Sequence, residues 1–149
     1  YNLREQLERL IKVYEWKVNE KGLMLSHKLH DTEIKADKAL MNTVWDNLLS
    51  NAVKYNAEAG SIDIEMTEYK AHTVIAISDT GEGIDDTSID KIFDRFYRVD
   101  TARTSNVAGT GLGLSIVKKI IDMHNGSINV RSNENGTTIT VRLPLDSSE

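Results

Sequence analysis

The chain has 149 residues, of which 40% are hydrophobic and 28% are charged, and its formal net charge is -5. These values are typical of one globular domain and exclude an intrinsically disordered chain. The absence of cysteine excludes disulfides and thiolate metal sites, and the acidic charge without a basic stripe argues against nucleic acid as a partner. Because the chain opens on Tyr1 and not on methionine, we interpret residues 1–149 as a single domain of a longer protein.

The first part of the chain predicts two amphipathic helices with a strand between them. Apolar residues recur every three or four positions over residues 2–20 and again from residue 38 to about 55. Gly22 ends the first helix, and Asp37 is suited to cap the start of the second. The alternation of apolar and polar residues over 23–28 predicts the strand.

The next elements predicted are two hairpins and a third helix. Residues 62–69 and 72–79 read as strands joined by Lys70-Ala71, and residues 127–132 and 137–143 form a second such pair. Between the hairpins we expect a short helix near residues 86–92, an aperiodic loop over 99–108, and a helix that Gly126 closes. The apolar residues that recur at helical spacing in this last helix are Leu112, Ile116, Ile120 and Met123.

The order of these elements predicts an α+β fold. Helices and strands do not alternate strictly, which disfavours a doubly wound parallel sheet. We expect a two-layer α/β sandwich whose mixed, mainly antiparallel sheet has about five strands, with three main helices on one face.

A glycine-rich segment, Val107-Ala-Gly-Thr-Gly-Leu-Gly-Leu-Ser115, leads directly into the third helix. Glycines allow the backbone to approach a ligand closely, and a helix N-terminus presents unpaired N–H groups to an anion. This pattern indicates a phosphate cradle, but a flexible loop before a helix is an equally good interpretation.

Two further patterns have a possible chemical role. Asn47, Asn51 and Lys54 share one face of the second helix, and amide oxygens suit Mg²⁺ while an ammonium suits phosphate. A solvent-facing polar stripe is the alternative. Asp79 ends a strongly apolar strand just before Gly81, where a carboxylate could accept a hydrogen bond from an exocyclic amine. A type I turn is the alternative there.

Five segments form an ordered set along the chain: Asn47-Leu-Leu-Ser-Asn-Ala-Val-Lys-Tyr55, Asp79-Thr-Gly-Glu-Gly-Ile84, Phe93-Asp-Arg-Phe-Tyr-Arg98, Gly109-Thr-Gly-Leu-Gly-Leu114 and Asn135-Gly-Thr-Thr138. In that order they resemble the N, first glycine, F, second glycine and third glycine boxes of the ATP-binding domains of bacterial sensor histidine kinases. The set covers nearly the whole chain and is far more specific than any one motif.

The resemblance implies that the domain binds ATP with Mg²⁺. It implies that Asn47 ligates the metal, that Asn51 and Lys54 lie at the phosphates, and that Asp79 accepts the adenine amino group. Arg98 would face the terminal phosphate and, with Asn47 and Lys54, would serve the reaction. The other residues implied at the nucleotide are Tyr55, Gly81, Gly83, Ile84, Gly109, Thr110, Gly111, Leu112, Gly113, Leu114 and Thr137.

The same resemblance implies a mobile ATP lid over residues 99–110, approximately. Arg95 and Arg103 are weaker candidates for phosphate contact, and a solvated loop arginine is as good an interpretation of Arg103. Phe93 and Phe96 are better interpreted as core or lid-anchoring residues than as ligand contacts.

The family's kinases transfer the γ-phosphoryl to a histidine on a dimeric helical domain, and from there the signal passes to a response regulator. None of the four histidines here lies in a segment that resembles the family's phosphoacceptor box; they are His27, His30, His72 and His124. We therefore expect the phosphoacceptor domain to be upstream and absent, and the isolated fragment to be monomeric and unable to autophosphorylate. We expect the parent to be a homodimeric, membrane-anchored sensor with this domain in the cytoplasm.

Related ATPases of the gyrase, mismatch-repair and heat-shock chaperone type provide an alternative. They carry a glutamate general base at the position that matches Asn47, and the amide of an asparagine cannot take a proton from water. Anti-sigma serine kinases also favour an acid there, so Asn47 favours a histidine kinase. A nucleotide-binding module without catalysis is a third alternative, against which the intact Asn47, Asn51 and Lys54 weigh.

Overall fold

The computed structural model describes residues 1–56, 59–81, 113–133 and 135–145. Within them the chain forms three helices and five strands. In chain order these are α1 (Leu3–Glu20), β1 (Met24–Lys28), α2 (Lys38–Lys54), β2 (Ser61–Tyr69), β3 (His72–Asp79), α3 (Gly113–Met123), β4 (Ser127–Asn133) and β5 (Gly136–Pro144). The short helix predicted near 86–92 and the lid predicted over 99–110 lie outside the described residues.

The five strands form one mixed sheet in the order β1-β2-β3-β5-β4. Only β1 and β2 pair in parallel; the other three neighbouring pairs are antiparallel. The predicted mainly antiparallel sheet of about five strands is therefore confirmed, with the apolar strand β3 at its centre. The antiparallel register of β3 and β5 sets Asp79 opposite Thr137, so the end of β3 meets the start of β5.

The core lies between the helices and one face of the sheet. Alternate residues of β2, β3 and β5 are buried, which is the two-residue period of a sheet with one covered face. The predicted apolar stripe of α1 is buried in full, at Leu3, Leu7, Leu10, Ile11, Tyr14 and Val18. In α2 the largest fully buried side chain is Trp45, which the sequence interpretation did not single out.

The helix ends are fixed by hydrogen bonds at both termini of α2. Its N-cap is Asp37, as predicted, whose carboxylate accepts from the backbone N–H of Leu40 at 3.0 Å. At the other end of α2, Lys21, the residue that follows α1, donates a hydrogen bond from its ammonium group to the Val53 carbonyl oxygen at 2.6 Å. A cation at a helix C-terminus also interacts favourably with the macrodipole.

Helix α3 departs from the predicted pattern in the face that it buries. The residues packed into the core are Val117, Ile120 and Ile121, whereas Ile116 and Met123 are exposed. The helix itself is confirmed, and Ile120 of the apolar pattern is buried. Ile116 and Met123 of that pattern are exposed instead, because Val117 and Ile121 lie on the side that packs into the core.

His124 joins the end of α3 to the start of α2. Its Nε2 accepts a hydrogen bond from the backbone N–H of Asp37 at 3.0 Å, and its Nδ1 lies 2.8 Å from the carbonyl oxygen of Ile120. Because Nε2 accepts from a backbone amide, Nδ1 is the nitrogen that carries the proton.

No helix within the described ranges is long and apolar enough to cross a membrane.

The β2–β3 turn offers a test of the fold. Lys70 and Ala71 have φ of +48° and +62°, the positive values that a type I′ turn requires and that glycine adopts most easily. We expect Ala71→Gly to raise the free energy of unfolding by about 0.5–1 kcal/mol in urea denaturation.

The matched control is Ala76→Gly in the middle of β3, where glycine weakens an extended strand. This variant should be less stable than the parent chain by a similar amount. A loss of stability in Ala71→Gly would contradict the left-handed turn.

Candidate functional site

The polar row predicted on α2 lies beside the buried stripe of that helix. Asn47 and Asn51 are half-buried, Lys54 is exposed, and Tyr55 caps the helix with its side chain exposed. The three polar side chains therefore follow one side of α2, from the edge of the core to the surface at the C-terminal end of the helix.

The amide of Asn47 has a defined orientation. Its Nδ2 donates a hydrogen bond to the carbonyl oxygen of Thr43, one turn earlier, at 2.8 Å. This leaves Oδ1 as the free end of the amide, and it faces Gly113 at the start of α3. A Cβ at position 113 would lie 2.7 Å from that oxygen, closer than such atoms approach, so a larger residue there would displace the Asn47 amide.

The site therefore combines an acceptor oxygen from α2 with the N-terminus of α3. The first backbone N–H groups of a helix have no partner within the helix, and the macrodipole makes this end favourable for an anion. Leu114, also predicted at the site, is half-buried and packs against the core.

Asp79 lies near the C-terminal end of α2, because the turn that follows it packs on the Tyr55 carbonyl oxygen. One carboxylate oxygen, Oδ1, accepts a hydrogen bond from the backbone N–H of Gly81 at 2.9 Å. Burial raises the pKa of this carboxyl above its ordinary value, and the backbone N–H groups of Gly81 and Thr137 lower it by a smaller amount. The carboxylate is thus partly desolvated and only partly compensated.

Two glycines allow the backbone to close around Asp79. A Cβ at Gly81 would overlap the carbonyl oxygen of Tyr55, and a Cβ at Gly136 would overlap the carbonyl oxygen of Asp79 itself. Gly136 also has φ of +146°, a conformation that other residues rarely adopt. The turn after β3 therefore packs directly on the end of α2 and on the start of β5.

Thr137 reaches Asp79 through its backbone amide. Its side chain is buried, and its hydroxyl lies 2.9 Å from the hydroxyl of Ser132 on β4. Thr137 therefore lies beside Asp79, and its backbone N–H, not its side chain, faces the carboxylate.

The two clusters are separated along α2. Asn47 and Tyr55 are eight residues apart, which corresponds to about 12 Å along a helix. The structure therefore brings Asp79, Gly81 and Thr137 together with Tyr55 at the C-terminal end of α2, and Gly113 together with Asn47 near the middle of the helix. The remaining predicted site residues lie outside the described part of the chain: Gly83, Ile84, Arg95, Arg98, Arg103, Gly109, Thr110, Gly111 and Leu112. Phe93 and Phe96, interpreted as core or lid-anchoring residues, also lie outside it.

Three contributions to this geometry were missed by sequence reasoning. The Thr43 carbonyl orients Asn47, and the side chains of Asn56 and Thr80 hydrogen-bond to each other at 2.9 Å between the end of α2 and the turn after β3. The only sequence signal for these contacts was the residue type, since Asn and Thr beside turns commonly bond to nearby backbone.

No cluster of three His, Cys, Asp or Glu side chains that could hold a metal occurs in the described ranges.

Comparison with known proteins identifies the family. Residues 36–147 match the model of the histidine kinase-, DNA gyrase B- and HSP90-like ATPases. Over 117 residues the chain is 44% identical to the sensor histidine kinase WalK of Bacillus subtilis (strain 168), a match that covers 76% of this chain and 19% of that protein. The chain thus spans about a fifth of the length of this curated relative.

Solved structures of histidine kinases share the fold. The catalytic domain of histidine kinase ThkA in a nucleotide-free form is 29% identical, with a TM-score of 0.84 over 97% of this chain and 93% of that one. ThkA solved in complex with response regulator protein TrrA is 27% identical, with a TM-score of 0.82 over 97% of this chain and 41% of that one. The chain belongs to the histidine kinase-, DNA gyrase B- and HSP90-like ATPase family and resembles within it the ATP-binding catalytic domains of sensor histidine kinases.

Proposed function

We propose that this domain binds ATP with Mg²⁺ and donates the γ-phosphoryl group to a histidine on a separate dimerisation domain. The observation that carries the proposal is the arrangement along α2. A partly desolvated carboxylate, Asp79, lies at the C-terminal end of the helix, and near the middle of the helix an amide oxygen from Asn47 faces the N-terminus of α3. A nucleotide has the matching polarity, with hydrogen-bond donors on its base and negative charge on its phosphates.

Asp79 is the group that would select adenine. A desolvated carboxylate that keeps its charge gains most from a ligand that donates a hydrogen bond to it, and the exocyclic amine of adenine is such a donor. A base without that donor would leave the carboxylate buried and poorly paired, so the site would reject it. The backbone N–H of Gly81 orients the carboxylate by donating to its Oδ1 at 2.9 Å, and Gly136 packs on the backbone carbonyl oxygen of Asp79.

The donor set at Asn47 fits Mg²⁺. Mg²⁺ prefers oxygen ligands and keeps several waters together with phosphate oxygens, so one amide oxygen is a sufficient contribution from the protein. Asn47 offers such an oxygen, because its Nδ2 is held by Thr43 and its Oδ1 accepts no hydrogen bond within the described residues. When bound, the metal supplies neutralisation of the phosphate charge.

The chain's own groups orient the phosphates. Asn51 and Lys54 continue the row toward the surface and would contact phosphate oxygens, and the first N–H groups of α3 would favour the same negative charge. Phosphoryl transfer requires positioning and charge stabilisation more than covalent participation by the protein. Arg98, outside the described residues, stays a proposed contact of the terminal phosphate.

The partners that we propose are those of the sensor histidine kinases that the chain resembles. We propose that the phosphoacceptor histidine lies on another domain of a homodimeric, membrane-anchored parent, in which this domain is cytoplasmic. We further propose a response regulator as the final acceptor, since ThkA was solved with the response regulator TrrA. The isolated domain would be a monomer that cannot phosphorylate itself.

ATP hydrolysis for a conformational switch, as in gyrase-type relatives, is the second candidate function. A hydrolase needs a general base near the attacking water, and an acid at position 47 would supply one. The side-chain amide of Asn47 is not basic enough to take a proton from water, and its Nδ2 already donates a hydrogen bond to the Thr43 carbonyl oxygen. This observation favours transfer to a protein acceptor over hydrolysis.

Asp79→Asn should weaken ADP binding by about 1–3 kcal/mol, because the charged hydrogen bond to the base is lost. Isothermal titration calorimetry measures this directly. The matched control is Asp63→Asn on β2, an exposed carboxylate that accepts from the Ser26 hydroxyl at 2.7 Å and lies on the open face of the sheet. Equal ADP affinity in the Asp79 variant and the parent chain would refute the assignment.

The raised pKa of Asp79 predicts opposite pH effects on binding and on stability. In the folded state the carboxyl keeps its proton to higher pH than in the unfolded state, where its pKa is about 3.9. The folded state therefore binds more protons in this window, and the contribution of Asp79 to stability falls as the pH rises from about 4 through the raised value.

Urea denaturation from pH 4 to 7 should show wild-type stability, relative to Asp79→Asn, decreasing as the pH rises. Over the same range the ADP affinity of the wild type should increase, since the ionised carboxylate is the better acceptor, while that of Asp79→Asn should stay flat. A parallel pH profile in both proteins would contradict the role of Asp79.

Phosphotransfer should require a second protein. With radioactive ATP and Mg²⁺, label should appear on an added dimerisation domain that carries a phosphoacceptor histidine, and not on this chain alone. Asn47→Ala should reduce that transfer at least about tenfold, which corresponds to 1.4 kcal/mol in the barrier. Asn42→Ala, an exposed asparagine earlier on α2, is the control and should leave transfer unchanged. Labelling of the isolated chain would show that the acceptor was assigned wrongly.

A further inference from the structure

Asn56 and Thr80 form a closed set of hydrogen bonds with the start of β2. The Thr80 hydroxyl donates to Oδ1 of Asn56 at 2.9 Å and accepts from the backbone N–H of Ser61 at 2.9 Å. Nδ2 of Asn56 donates to the carbonyl oxygen of Ser61, also at 2.9 Å. Through these bonds the two side chains join the segment after α2 to the turn after β3.

This set lies directly beside the carboxylate of Asp79. Thr80 is the next residue in the chain, and Gly81, one further on, donates its backbone N–H to Asp79 Oδ1. The same Gly81 packs so closely on the Tyr55 carbonyl oxygen that a Cβ has no room. Thr80 lies between Asp79 and Gly81 in the chain. The position of the Asp79 carboxylate relative to α2 therefore depends on how Thr80 is held.

The hydrogen bonds of Thr80 are poorly placed to contribute much to global stability. Its side chain is exposed, and Asn56 is only half-buried. Exposed hydrogen bonds compete with water, so their net contribution to folding is small. A hydroxyl held in one rotamer by two partners, however, restricts the backbone on either side of it.

We infer that Thr80 and Asn56 are positioning residues for recognition of the base. They hold the Asp79 carboxylate at a fixed place against the end of α2, so that the base and the phosphates of one nucleotide meet both clusters of the site at once. This inference rests on the proposed binding of an adenine nucleotide and adds to it two residues that act through Asp79. Preorganised acceptors bind more tightly because less order is lost on binding.

The test compares ADP with inosine diphosphate, which lacks the exocyclic amine, in Thr80→Val and Thr80→Ser. Valine keeps the shape and removes both hydrogen bonds, whereas serine keeps the hydroxyl. We expect Thr80→Val to reduce the preference for ADP over inosine diphosphate about tenfold, with a small change in melting temperature. Thr80→Ser should restore most of that preference. A merely structural role would weaken both nucleotides alike.

A double-mutant cycle with Asp79→Asn tests whether Thr80 acts through Asp79. In the Asp79→Asn background, Thr80→Val should cause no further loss of ADP affinity. Asn56→Ala should reproduce the loss of base preference from the other side of the set, and it serves in place of Thr80→Val if that variant does not fold.

The outcomes separate this inference from the proposed function. If the wild type binds ADP with a base preference that Asp79→Asn abolishes, while Thr80→Val and Asn56→Ala keep it, the positioning role is wrong and the nucleotide site stands. If the wild type binds neither nucleotide, the proposed function fails, and the inference fails with it.

Discussion

The partial burial of the Asp79 carboxylate is the constraint on which the rest of the proposed site depends. The sheet register sets this residue opposite Thr137, and Gly81 and Gly136 pack so closely on the neighbouring backbone that neither position has room for a side chain. Burial raises the pKa of the carboxyl, so its charge costs stability in the ligand-free protein. A hydrogen-bond donor on a bound base would offset that cost. In a purely structural turn, by contrast, the carboxylate would find all its hydrogen-bond donors within the protein.

The second cluster depends on how α2 and α3 are held together. His124 bonds the end of α3 to the start of α2, while the start of α3 meets Asn47 near the middle of α2. The two helices therefore run antiparallel, and the N-terminus of α3 faces the polar row of α2. Because both clusters lie along one rigid helix, their separation is fixed, as recognition of a ligand with two chemically different ends requires.

The sequence was a good guide to the elements and to their class of fold. Periodicity predicted α1 and α2, and the Asp37 cap was recognisable because Asp is a strong N-cap residue. It was a poorer guide to α3, because apolar residues at 116, 117, 120, 121 and 123 fit more than one helical stripe, and the stripe drawn through Ile116 includes a position that the structure leaves exposed. The Asn56–Thr80 bond could not be predicted, because it joins residues that are 24 positions apart and depends on tertiary packing.

The most direct test of the account is a crystal structure of the domain with Mg²⁺ and a non-hydrolysable ATP analogue. The account predicts that the adenine amino group lies within hydrogen-bond distance of the Asp79 carboxylate, with the metal on Asn47 Oδ1 and the phosphates beside the N-terminus of α3. A nucleotide whose base contacts neither Asp79 nor the turn at Gly81, or whose phosphates lie away from Asn47 and Gly113, would contradict it.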